Sequence, residues 1–161
     1  MQLLPILILL FLSLACTPSN DPKYYFDKGQ YKKAHMLWKP LANNGDLISQ
    51  NFLGIQYYLG LGIERNLELA KKWYEEAASQ GFADAQYNLG LMYMNGEFVE
   101  QDFLTASMWF YASSENGNNN AKKRIDGLLN DDKLFPNQFS HAKILAEEYL
   151  TTKNTENSIN Y

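Results

Sequence analysis

From Asp46 to Leu59 the hydrophobic and small residues stand at helical spacing, with Ser49, Leu53 and Tyr57 at i, i+4 and i+8 on one stripe. Gly60-Leu61-Gly62 ends that helix, because glycine enters the left-handed region without a Cβ penalty and is common just past a C-terminus. Asn66 is a good N-cap for a second helix reaching Gln80, with Leu69, Trp73 and Ala77 as its apolar stripe and Gly81 at its end. The pattern then starts again. A helix capped by Asp102 carries Ala106, Trp109, Phe110 and Ser113 and stops at Gly117. Residues 151–161 read as a polar tail, frayed from Lys153 onward.

The restart has a fixed period of 36 residues. Gly45, Gly81 and Gly117 obey it, and so do Ala34, Ala70 and Ala106. Gln50 maps onto Gln86, Leu53 onto Leu89, Gly54 onto Gly90, Tyr57 onto Tyr93 and Gly60 onto Gly96. A constant period of this length marks stacked supersecondary units. Glycine inside a helix costs ~1 kcal/mol against alanine. Gly54 and Gly90 therefore predict close helix–helix crossings where a side chain would clash. Trp73 and Trp109, able to bury ~150–250 Å² each, are expected in the core.

The pattern Ala-Gln-x-x-Leu-Gly-x-x-Tyr-x-x-Gly, here Ala85 to Gly96, resembles a Sel1-like repeat. So do Ala-x-x-Trp-Tyr-x-x-Ala-Ala-x-x-Gly at Ala70 to Gly81 and the opening segment Gly29 to Gly45. The resemblance covers residues 23–150 and implies an all-α fold, a right-handed α-solenoid of stacked helix-turn-helix units. The full units are 46–81 and 82–117, with partial units at 23–45 and 118–150, and Pro136 to Leu150, with Gln138, Ala142 and Ala146, resembles the family's amphipathic closing helix. Asp126 departs from the pattern, standing where the repeat glycine belongs.

Leu3 to Leu14 is almost wholly apolar but too short to span a membrane, which takes ~20 residues. It fits the apolar region of a secretory signal, although no Lys or Arg precedes it. Leu12-Ser13-Leu14-Ala15-Cys16 resembles a bacterial lipobox, implying cleavage before Cys16 and lipidation of its thiol. On this reading 1–15 is a signal peptide, 16–22 a tether and the location a bacterial envelope. Thr17 after the cysteine leans towards the outer membrane. The alternative is an ordinary signal with an incidental cysteine.

Composition narrows the chemistry. With 11 Tyr, 9 Phe and 3 Trp in 161 residues the chain has large side chains to bury. A net charge of −4 argues against a nucleic-acid binder. One cysteine and two histidines, His35 and His141, make a transition-metal site unexpected, and no cofactor motif occurs. Ser140-His-Ala-Lys143 matches the S-x-x-K of serine penicillin-recognising enzymes, and Ser114-Glu-Asn116 a loose S-x-N, but no K-T-G follows. Lys122-Lys123-Arg124 reads as a solvated helical stretch.

The segment 46–59 is apolar beyond its core stripe, with Ile48, Phe52, Ile55, Tyr58 and Leu59 on other faces. A helix apolar all round is buried or binds something. First helices of stacked hairpins line a concave surface, so the positions between the consensus residues are candidate contacts for a protein or peptide. These are Asn51, Ile55, Tyr58, Tyr87, Leu91 and Met94. The expected function is non-catalytic, lipid-anchored binding, either as an adaptor or as an immunity protein against a toxin. A penicillin-recognising or peptidoglycan-active enzyme and a structural stabiliser of an envelope complex are the alternatives.

Overall fold

A computed structural model describes residues 20–159, with side chains as far as Thr152, so the expectations for the signal segment and Cys16 lie outside the described residues. Eight helices follow in order: α1 (Pro22–Asp27), α2 (Tyr31–Asn43), α3 (Leu47–Leu59), α4 (Leu67–Ala78), α5 (Ala83–Asn95), α6 (Phe103–Glu115), α7 (Asn119–Asn130) and α8 (Pro136–Ile159). The caps explain the boundaries. Asp46, Asn66 and Asp102 each accept a backbone N–H of the first turn, satisfying donors that the helix cannot. Gly60 and Gly96 close α3 and α5 in the left-handed conformation, at φ 71° and 70°.

Successive helices pack on one another from α1 to α7, while α8 returns to lie against α6. Three core clusters result, each joining the second helix of one hairpin to the hairpin after it. Trp38 and Trp73 pack around Leu53, Tyr74 and Trp109 around Leu89, and Phe110 packs with Ile125 and Leu134. Phe52 stacks on Trp38 at 4.3 Å, so its side of α3 is covered by the N-terminal hairpin. The fold is an all-helical repeat solenoid.

Both helical glycines sit at close crossings. A Cβ on Gly90 would lie 2.5 Å from the Phe110 ring, and one on Gly54 would penetrate the Tyr74 ring. The period also governs the hydrogen bonds. Gln50 and Gln86 each donate from Nε2 to a carbonyl in the preceding second helix, Ala42 at 3.1 Å and Ala78 at 3.0 Å. The closing hairpin breaks the pattern. Asp126 is exposed beside an open space of about 230 Å³ among α6, α7 and α8, so no tight crossing demands glycine there. The last helix also runs past Leu150 to Ile159, because residues 151–159 contain neither Pro nor Gly to stop it.

Candidate interaction face

The first helices of three successive hairpins, α3, α5 and α7, share one side of the array and leave two clefts between them. The cleft between α3 and α5 measures about 180 Å³ and is lined by Ile55, Tyr58, Leu59, Asn88 and Leu91, with Tyr74 of α4 behind them. The cleft between α5 and α7 is larger, about 590 Å³, with Met94, Phe103 and Leu128 as its apolar surface and Lys123, Arg124 and Lys133 at its border.

The six candidate contact residues divide between these places. Ile55, Tyr58 and Leu91 line the smaller cleft, and Met94 lines the larger. Tyr87 bridges to α7: its hydroxyl accepts from Arg124 Nε at 3.0 Å, and its ring lies 5.6 Å from that of Phe110. Asn51 is not a surface residue. It is 5% exposed, and its Oδ1 accepts from Asn88 Nδ2 at 3.0 Å, which ties α3 to α5. Tyr58 donates its hydroxyl to Glu97 in the turn after α5, a second tie between these two hairpins. Burial, then that bond and the Glu97 charge, push the Tyr58 hydroxyl up to about 12.

Of the other polar residues singled out by sequence, His35, Ser114, Ser140 and Lys143 have local partners. His35 Nδ1 lies 3.2 Å from Gln56 Oε1, its ring stands edge-on to Tyr57, and burial lowers its pKa. Ser140 is exposed and donates to the Pro136 carbonyl at 3.0 Å, while Lys143 Nζ lies 4.7 Å from the centroid of Phe139. Ser114 donates to the Tyr111 carbonyl at 2.9 Å. Among the described residues each of these hydroxyls donates to a carbonyl of its own helix rather than to a side-chain base.

Residues 47–82 and 83–118 each match the Sel1 repeat model. This chain is a Sel1-like repeat protein. The matched units are offset by one residue from a division at the glycines, with the same period. A sel1-like repeat-containing protein of Acanthamoeba polyphaga mimivirus is 43% identical over 54 residues, 34% of this chain and 10% of that protein. The crystal structure of a Sel1 repeat protein from Oxalobacter formigenes superposes with a TM-score of 0.63 at 32% identity, covering 66% of this chain and 44% of that one. A protective antigen present in uropathogenic Escherichia coli strains, displaying an SLR fold, gives a TM-score of 0.73 at 29% identity over 84% of this chain and 29% of that one. The chain thus spans about a tenth of the curated relative it matches and less than half of either structural neighbour. Sel1 repeats generally mediate protein–protein interaction.

Sequence reasoning took Lys123 and Arg124 for part of a solvated stretch and passed over Gly127 and Lys133. The repeat itself carries the signal for them. Adding 36 to Tyr58, Leu59, Asn88 and Leu91 of the smaller cleft gives Met94, Asn95, Arg124 and Gly127 of the larger one.

Proposed function

We propose that this protein is a non-catalytic binding protein, fixed to a bacterial envelope membrane through lipid on Cys16, that takes a segment of a protein partner along α3, α5 and α7. The two clefts on that one face carry the reading. A groove holding Tyr, Met and Leu side chains suits a partner segment, since such residues give large contact area with an adaptable fit. Its role is that of an adaptor, or of an immunity protein that neutralises a toxin, and the partner's identity separates the two.

The test uses the full chain as bait in solubilised native membranes, beside Leu59→Glu/Met94→Glu, which charges both clefts, at exposed Leu59 and half-buried Met94. One dominant partner lost from a variant that keeps its helical circular dichroism supports the face. Equal capture by both proteins removes it. For the anchor, Cys16→Ser should move the chain from the membrane to the soluble fraction. A variant still incorporating labelled fatty acid would sink the anchoring reading.

A further inference from the structure

The two clefts are the same place one repeat apart, and the differences between them share a direction. The inter-hairpin hydrogen bond from Asn88 to Asn51 recurs 36 residues on as Arg124 to Tyr87, which brings a guanidinium to the border of the second cleft. Leu91, which fills part of the first cleft, corresponds to Gly127. Tyr58 of the first cleft and its hydrogen-bond partner Glu97 correspond to Met94 and Lys133, which cannot make that bond. An acid is thus replaced by a cation, and a larger cleft results.

Gly127 is the most informative of these changes. Unlike Gly54 and Gly90, it has nothing within 4 Å of where its Cβ would be, so no internal crossing requires it. It lies inside α7, where glycine weakens a helix, and it lines the cleft. Asp131 is the one acid among the lining residues, at 3.5 Å from Lys133. Lys123 is exposed and has no ion pair among the described residues. A chain with net charge −4 has gathered three cations around one cleft.

We propose that the α5–α7 cleft is a subsite for an acidic segment of the protein partner. Carboxylates of that segment meet Lys123, Arg124 and Lys133, and a neighbouring apolar side chain enters the space left open at Gly127 against Met94, Phe103 and Leu128. The proposal rests on the reading that this face binds protein and supplies the chemistry of one part of it. Charge complementarity at such a border steers association and selects partners.

The probe is a fluorescein-labelled peptide with leucine and phenylalanine between glutamates, beside the same peptide with lysines for glutamates. Binding to the full chain in non-ionic detergent is read by anisotropy at about 50 mM and about 500 mM salt. The acidic peptide should bind about tenfold more tightly or better, and weaken at high salt. Lys123→Glu/Arg124→Glu and Gly127→Leu should each lose about tenfold, while the remote control Lys28→Glu/Lys32→Glu changes little. Equal binding of the two peptides, an equal loss in the control, or displacement of the peptide by millimolar inorganic phosphate would overturn the proposal. Capture of the native partner separates the two levels. If Leu59→Glu/Met94→Glu loses it and Lys123→Glu/Arg124→Glu keeps it, the acidic subsite falls and the face remains. If both keep it, both readings fall.

Discussion

Arg124 donates from Nε to the Tyr87 hydroxyl at 3.0 Å, at the position where, 36 residues earlier, Asn88 donates to Asn51. The repeat preserves the bond and replaces both side chains. In the first instance buried Asn51 and half-buried Asn88 tie α3 to α5. In the second a tyrosine holds a guanidinium at the border of an open cleft.

The three helical glycines answer differently to a methyl group. Gly54→Ala and Gly90→Ala should destabilise by about 1–3 kcal/mol, because the clash with Tyr74 or Phe110 outweighs the gain in helix propensity. Gly127→Ala should stabilise by up to about 1 kcal/mol, since its Cβ meets nothing. Urea unfolding of the three variants reads the sign directly. A destabilising Gly127→Ala would mean that the cleft is not open as described.

Gln50 Oε1 is buried without a hydrogen-bond partner, whereas its counterpart Gln86 Oε1 accepts from Asn116 Nδ2 at 3.0 Å. The residue 36 before Asn116 is Gln80, whose amide instead donates to the Glu76 carbonyl at 3.0 Å. Gln80→Asn should restore the second unit's arrangement in the first. A gain of about 0.5–1.5 kcal/mol in thermal or urea denaturation is expected. No gain would show that the shorter amide does not reach.

Stability should fall in strong base. The folded state holds the Tyr58 proton up to about 12, while an unfolded tyrosine ionises near 10. The folded state therefore binds more protons in this window, and stability present below about pH 10 is lost as the pH rises towards about 12. Buried Tyr74 is shifted in the same direction. Tyr58→Phe should flatten part of the decline in urea midpoints measured across that window, and an unchanged slope would contradict the assignment.

At the acid end His35 acts in the opposite sense. Burial lowers its pKa below 6.5, so the unfolded chain takes up a proton first and stability is lost as the pH falls below that value. His35→Gln should reduce the acid sensitivity of the N-terminal hairpin, followed by circular dichroism. Equal sensitivity in both proteins would assign the effect elsewhere.

Most of the scaffold was legible because its determinants are local or periodic. Asp46, Asn66 and Asp102 act on backbone within one turn, and Gly54 and Gly90 announce their crossings by recurring 36 residues apart. What escaped depended on the reach of side chains between units. Asn51 stands between consensus residues like a contact position, yet a partner 37 residues away buries it. Lys123 and Arg124 read as a solvated run when taken with their chain neighbours. Helical spacing puts them beside Gly127 on α7, but only the period brings in Lys133, which lies beyond the end of that helix. The closing hairpin was least legible, since α8 packs on α6 and releases Asp126 from the repeat's requirement for glycine.

The central claim is that a protein partner occupies the side shared by α3, α5 and α7. Hydrogen–deuterium exchange of the full chain, free and bound to the partner captured from native membranes, tests it most directly. The account predicts added protection in α5 and α7, around 88–95 and 123–131, with α4 and α6 unchanged on their far sides. Protection confined to α4, α6 or α8 would contradict it and place the partner on the opposite face.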